Sequence, residues 1–109
     1  MPSTFAREDN PLSTSNIEFL QTLEDVIVKR RHAPAENSYT SALFAAGNKR
    51  IAQKVGEEAV ELAIASVSGD RAEAIEEAAD LIYHLLVLLN NQDIKLADIV
   101  TVLETRHFP

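Results

Sequence analysis

Lys54-Val55-Gly56-Glu57-Glu58-Ala59-Val60-Glu61, in the middle of this 109-residue chain, sets one base and three acids close together. At about 100° of turn per residue, a helix would carry Lys54, Glu57, Glu58 and Glu61 on a shared arc of roughly 100°. Apolar residues flank that arc on both sides: Ile51, Val55 and Leu62 on one, Val60, Ile64 and Val67 on the other. A surface helix normally has a single apolar stripe opposite its charges. Acids set between two stripes point instead into a lined crevice.

The following segment repeats the pattern in a more apolar setting. Glu73, Glu77, Asp80 and His84 fall within an arc of roughly 60°. The rest of it is almost wholly apolar, with Ala74, Ala78, Leu81, Ile82, Leu85, Leu86, Leu88 and Leu89. Such a helix must be buried on most sides, and a bare carboxylate on it is costly unless something pairs with it. Gly69-Asp70 turns the chain between the two segments, so they pack antiparallel. Glu58 and Glu61 stand eleven and eight residues before Gly69, and Glu77 and Asp80 stand eight and eleven after it. Equal offsets in a hairpin lie side by side, and each pair is spaced so that both members reach one point.

Four carboxylates converging there would repel one another without a cation. An all-oxygen ligand set selects a hard ion, Mg²⁺ or Mn²⁺, over zinc. Mg²⁺ retains waters and completes its shell with substrate phosphates. A metal held by Glu58, Glu61, Glu77 and Asp80 therefore also shows how a chain of net charge −7 could hold a polyphosphate. A water activated there, with a spare carboxylate as base, gives a route to phosphoanhydride hydrolysis. The plainer alternative is that these acids are only solvated surface charge.

The remainder of the chain reads as helices around that hairpin. Apolar residues make up 46% and aromatics 6%, with three Gly and four Pro, a mix that favours helix over sheet. Residues 1–15 are rich in Pro, Ser, Thr and Asn without an apolar period, and are expected to form a flexible arm. Residues 16–109 form a single all-α domain in this reading. A first helix is expected over 16–31, with Ser15 as N-cap and Glu18 in a capping box. A short helix over 41–46 would end at Gly47 in a left-handed conformation. The acidic helix would run over 48–68, the next over 71–90 with Asp70 as its cap, and a last one over 96–106. Short turns between helices imply antiparallel neighbours in a bundle.

Composition also excludes whole classes. The absence of Cys removes disulfides, thiolate nucleophiles and Cys-based zinc sites. A strongly acidic chain is a poor general binder of nucleic acid. The longest apolar run, Leu85 to Leu89, is far too short to span a bilayer, and the first residues, with Arg7, Glu8 and Asp9 and no long apolar region, are not expected to act as a secretory signal. A soluble, cytoplasmic protein is the expectation, and its small size favours a partner subunit.

Lys49 and Arg50 sit in the first turn of the acidic helix, where the helix N-terminus itself attracts anions, and Lys54 lies one turn on. All three are candidate phosphate ligands. Lys54 could equally form an i, i+4 pair with Glu58, and solvent exposure is the default for Lys49 and Arg50. Lys29, Arg30 and Arg31 suit the dipole at the end of the first helix, as His32 and His107 suit helix ends. His84 could hydrogen-bond Asp80 or fill a core position.

Several segments together resemble phosphoribosyl-ATP pyrophosphohydrolase, within the all-α, MazG-like nucleotide pyrophosphohydrolases. They are Ser38-Tyr39-Thr40, Gly47, Arg50 through Glu61, Glu77-Ala78-Ala79-Asp80-Leu81-Ile82-Tyr83-His84, and Arg106-His107. The shared signature is Glu-Glu-x-x-Glu with a later Glu-x-x-Asp, here Glu57/Glu58/Glu61 and Glu77/Asp80. The resemblance implies Mg²⁺-dependent hydrolysis of phosphoribosyl-ATP between its α and β phosphorus atoms, giving phosphoribosyl-AMP and pyrophosphate in the second step of histidine biosynthesis. It implies a homodimer whose helices complete the bundle. Glu58, Glu61, Glu77 and Asp80 would hold the metal. Glu57 would bind a second ion or orient the attacking water. Lys54, Lys49 and Arg50 would take phosphate oxygens, and Ser38, Tyr39, Thr40 and Arg106 would meet the substrate.

The chain departs from the family pattern where Asp93-Ile94-Lys95-Leu96 lacks a Ser cap before the last helix, and where residues 1–15 have no counterpart. In some organisms this activity is fused to a Cys-containing zinc cyclohydrolase, and without Cys the next pathway step is expected on another chain. Two other functions would leave much of this pattern intact. A house-cleaning nucleoside triphosphate pyrophosphatase would share every metal ligand. A non-enzymatic acidic bundle would tolerate Glu61→Ala. A di-iron bundle wants Glu-x-x-His on two helices, a spacing absent here.

Overall fold

The hairpin forms as its turn chemistry requires. The computed structural model describes residues 12–108, with side chains from Asn16 onward, so the greater part of the N-terminal arm lies outside the described residues. Five helices follow in order: α1 Leu12–His32, α2 Tyr39–Ala46, α3 Asn48–Ser68, α4 Arg71–Asn91 and α5 Leu96–His107. Among the described residues there is no strand, and the fold is all-α. Helix α3 ends where Gly69 takes φ 80° and ψ 14°, a left-handed conformation that Gly adopts at little cost. There the Asp70 amide donates to the Ala65 carbonyl at 3.1 Å and the Gly69 amide to Ser66 at 3.3 Å, which satisfies the last carbonyls of α3. Asp70 then caps α4, its carboxylate accepting from the Glu73 amide at 3.0 Å.

Two helix starts differ from expectation. Helix α1 begins at Leu12, so Ser15 lies inside it and is no cap. Helix propensities of Ser and Thr differ from those of better formers by less than about 1 kcal/mol per residue, too little to stop a helix at Ser13-Thr14-Ser15. Helix α2 begins at Tyr39, because Ser38 is its cap and accepts from the Ser41 amide at 3.1 Å. Gly47 has the expected positive φ, 94°, but a ψ of 169° rather than a left-handed helical value. It closes α2 and opens α3 at once, donating to Leu43 and accepting from Ile51, and the chain must swing outward between the two.

The core gathers at the open end of the hairpin. Ile27, Leu43, Ile51, Leu86 and Val87 are buried together, with Leu23, Phe44, Tyr83, Leu88 and Leu96 packed against them. Helices α1 and α2 therefore cover the start of α3 and the end of α4 only. Farther along, Ile64, Val67 and Ile75 stand exposed. Helix α5 packs only weakly on the other helices, and every residue from Ala97 to Phe108 is exposed. The radius of gyration is 16.2 Å, against about 13 Å for a globular domain of this length. No helix of the described residues is long and apolar enough to cross a membrane.

The crevice expected between two apolar flanks has one wall. Ile51, Val55 and Leu62 are buried or half-buried, whereas Val60, Ile64 and Val67 face solvent. No other helix of the described chain lies against that second flank. Ile75, Ile82 and Leu85 are likewise exposed, so α4 is less enclosed than its apolar composition suggested.

Candidate functional site

Halfway along the hairpin, carboxylates from both helices converge. Oxygen atoms of Glu58, Glu77 and Asp80 lie within 4.8 Å of one another. The equal offsets from the turn explain this, since Glu58 and Asp80 are both eleven residues from Gly69. Glu58 is buried, Glu77 half-buried and Asp80 exposed, so the cluster opens at one side.

Glu77 carries the electrostatic strain of the site. Its Oε1 is buried with no hydrogen-bond partner. Its neighbours are other carboxyls, against which it can hydrogen-bond only by keeping a proton. Glu73 has the largest effect, followed by burial and by Glu58 and Glu61, and together they push the Glu77 carboxyl from its ordinary 4.5 up to about 8. A cluster that holds a proton this firmly is one that a divalent cation can fill in its place. The orphaned oxygen, the all-carboxylate donor set and the open side fit a hard divalent ion.

Glu61 is exposed and stands outside the tight trio, yet close enough to Glu77 to raise it. Glu73 joins the same network. It lies on the same arc of α4 as Glu77, one turn ahead, and that i, i+4 spacing is the signal by which the sequence could have placed it among the site residues. Glu57 points elsewhere: it is exposed, accepts from the Gln53 amide nitrogen at 3.0 Å and lies 3.6 Å from Lys54.

Lys54 bridges the two acids ahead of it. Its Nζ is 3.3 Å from Glu58 and 3.6 Å from Glu57. The hydrogen bond to Glu58 raises the Lys54 pKa; burial opposes this, while Tyr39, Glu58 and Glu57 add to it. The i, i+4 pair is thus present, and it leaves the ammonium beside the carboxylate cluster. Lys49 and Arg50 are exposed in the first turn of α3.

The Ser38-Tyr39-Thr40 segment is occupied within the chain. Ser38 caps α2, Thr40 Oγ1 hydrogen-bonds the Tyr83 hydroxyl, and the Tyr39 hydroxyl meets His84 Nε2 at 3.0 Å. His84 is buried, and its Nδ1 lies 2.7 Å from the Asp80 backbone carbonyl rather than the carboxylate. Arg106 is not brought to the cluster by its own chain. It is exposed near the end of α5, which does not pack substantially on α3 or α4.

Known proteins resemble this chain in sequence. Among curated proteins, the histidine biosynthesis bifunctional protein HisIE of Photobacterium profundum is 55% identical over 89 residues, covering 82% of this chain and 43% of that protein. The HisIE of Vibrio vulnificus strain YJ016 is 47% identical over 105 residues, covering 96% and 50%. That of Escherichia coli O6:H1 is 53% identical over 89 residues, covering 82% and 44%. The chain spans half the length of these relatives or less. The family model for phosphoribosyl-ATP pyrophosphohydrolase matches residues 20–107, which takes in both acidic helices and α5. With so much of its length matched, the chain belongs to the phosphoribosyl-ATP pyrophosphohydrolase family.

Proposed function

We propose that this chain hydrolyses phosphoribosyl-ATP at the α–β phosphoanhydride, with Mg²⁺, to phosphoribosyl-AMP and pyrophosphate, in the histidine pathway of the cytoplasm. The observation that carries this reading is the meeting of Glu58, Glu77 and Asp80 oxygens within 4.8 Å, with Glu77 holding a buried, unpartnered oxygen. Bound there by Glu58, Glu77, Asp80 and Glu61, with Mn²⁺ as a substitute, the ion would neutralise polyphosphate charge and draw electron density from the bond to be cleaved.

The chain's own residues then divide the remaining work. Lys54, anchored by Glu58, presents its ammonium to phosphate oxygens at the edge of the cluster. Lys49 and Arg50 extend positive charge along the first turn of α3, where backbone amides add to the attraction. Glu57 is held by Gln53 and Lys54 outside the trio, and is the carboxylate left to orient or deprotonate the attacking water. Water adds across the anhydride, one phosphorus gains the hydroxyl, and the other fragment leaves with the bridging oxygen.

We also infer a homodimer. Val60, Ile64 and Val67 beside the site, and Ile99, Val102 and Leu103 on α5, are exposed apolar residues that a second copy would cover. That copy would supply the missing wall of the crevice and give α5 with its Arg106 a surface to lie on.

Pyrophosphate release from phosphoribosyl-ATP, measured with and without Mg²⁺ for the wild type and Glu61→Gln, tests the proposal. Mg²⁺-dependent release that collapses in the variant is expected. Release from common nucleoside triphosphates alone would keep the carboxylate site and assign a different substrate. No release from any of them would overturn the enzymatic reading.

A further inference from the structure

A second cleft opens away from the carboxylate cluster, where the second half of α1, the end of α4 and the turn into α5 meet. It holds about 350 Å³, within the range that takes small molecules, and Val28 and Ile94 form its apolar sides. Asn90 on its wall stands ten residues beyond Asp80, or about 15 Å along α4. Asn90 is nine-tenths buried, and its Oδ1 has no hydrogen-bond partner among the described residues. A buried acceptor left bare is costly, so it calls for a donor from outside the chain. Glu24, also buried, lines the same cleft; its carboxylate accepts from the Leu96 amide at 2.7 Å and from the Gln21 side chain at 3.0 Å, both uncharged donors. Arg31 stands beside them. Its Nη1 donates to the Asn90 backbone carbonyl, and to the Asp93 carboxylate at 2.9 Å. Both bonds use one nitrogen, and a guanidinium carries five N–H donors, so a further edge of the fork is left for an anion. Asp25 and Lys95, both exposed, flank the opening with one charge of each sign.

We propose that this cleft binds a small zwitterion of the α-amino-acid class, its ammonium turned to Asn90 Oδ1 and Glu24 and its carboxylate to Arg31. The ammonium supplies both the donor that Oδ1 lacks and a cation for a buried carboxylate whose own partners are neutral. A simple anion would meet Glu24 and be repelled, and a simple cation would meet Arg31. A molecule with both charges a few bonds apart satisfies both, and the bond from Arg31 to the Asn90 backbone sets the two poles of the cleft that close together. Val28 and Ile94 give the ligand's side chain an apolar surface to lie on. The inference does not depend on the function proposed above, and no carboxylate of the metal cluster takes part in it. Glu24 and Arg31 also hold the turn into α5, through Leu96 and Asp93, so a bound ligand tightens that joint.

Free L-amino acids, added one at a time in millimolar amounts to the ¹⁵N-labelled full-length chain, test this. At least one is expected to move the Asn90 side-chain amide and the Leu96 backbone amide resonances saturably, and to leave the amides around Glu58 in place. It is expected to raise the melting temperature as well, as a ligand of the folded state does. The N-acetyl and carboxamide derivatives of that amino acid each lack one charge, and each is expected to bind about tenfold more weakly or worse. Asn90→Leu and Arg31→Gln are expected to lose binding by a similar factor. Arg31 lies at the rim, so Arg31→Gln decides the matter should Asn90→Leu fail to fold. Binding that is equally strong without the ammonium or without the carboxylate, or unchanged in Arg31→Gln, would overturn the inference. So would the absence of a response to every amino acid, which would leave a bound water as the partner of Asn90 Oδ1.

Discussion

The α3–α4 hairpin and helix α5 carry similar apolar patterns and end in opposite situations. The hairpin's helices pack along their length, and its carboxylates meet at a point set by equal distances from Gly69. Helix α5 leaves Ile99, Val100, Val102 and Leu103 between 37% and 48% exposed and hardly touches the rest of the chain. A short turn makes one pairing geometrically unavoidable, so local sequence settles it. A helix on a free end has no such constraint, and its apolar stripe is satisfied only by whatever it meets. The carboxylate cluster is therefore assembled locally, while the apolar surfaces around it stay exposed in the single chain.

The sharpest way to break that contrast is to remove charge from the hairpin. Glu58→Gln keeps the shape of the side chain and removes one carboxylate of the proposed metal site and the anchor of Lys54. A drop of about a thousandfold in kcat/KM is expected, within the range seen when a transition-state charge loses its support. Stability should move the other way. Without divalent ions the variant is expected to melt no lower than the wild type, because a repelling carboxylate has gone from the cluster. A variant that lost activity and stability together would show that Glu58 is structural.

Acidity gives a second way in. Folded Glu77 keeps its proton to about pH 8, whereas the unfolded chain releases it near 4.5. Between those values the folded state binds more protons, so this group's stabilising contribution is complete below 4.5 and is lost as pH rises through about 8. With a chelator present, the melting temperature is expected to fall across that window, and Glu77→Gln should flatten the fall. Mg²⁺ bound at the proposed site would replace the proton, so its stabilisation is expected to grow with pH, with about one proton released per ion bound at pH 7. A chelated wild type that grew more stable across the window would contradict the shared-proton account.

For α5 the informative change is on its exposed stripe. Leu103→Glu adds a charge to a residue that is 48% exposed in the single chain. Within one chain the change should cost little, since surface substitutions rarely move stability by more than about 0.5 kcal/mol. Sedimentation is expected to show a dimer for the wild type and a monomer for the variant. An unchanged dimer would place the partner against α3 and α4 alone.

Sequence periodicity and turn chemistry were enough for α3, whose span matches expectation, and for the Gly69-Asp70 turn, because each rests on interactions within a few residues. The facing of Glu58 with Asp80 was legible for the same reason. The beginning of α1 was not, since Ser13 to Ser15 resemble a cap and are equally tolerated in a first turn. The partners of Tyr39 and Thr40 and the missing wall beside Val60 depend on contacts from other elements, which no spacing along α3 encodes. Glu24 gives no signal in the sequence, being one acid on an ordinary helix, and its role appears only when α5 arrives beside it.

That role supplies the finest test of the contrast. Glu24 is buried; its Oε2 accepts from the Leu96 amide at 2.7 Å and its Oε1 from the Gln21 side chain at 3.0 Å. A carboxylate from α1 thus satisfies an otherwise free amide at the start of α5, beside the Lys95 amide, which donates to Asp98 at 2.9 Å. Glu24→Leu strands the Leu96 amide and should cost about 1–3 kcal/mol, whereas Glu24→Gln retains an acceptor and should cost less. Amide exchange separates the two regions directly. In Glu24→Leu the amides of α5 are expected to exchange faster, while those of α3 around Glu58 keep their wild-type protection. Equal acceleration in both would mean that α5 and the hairpin open as one unit, and that the independence of the two regions is false.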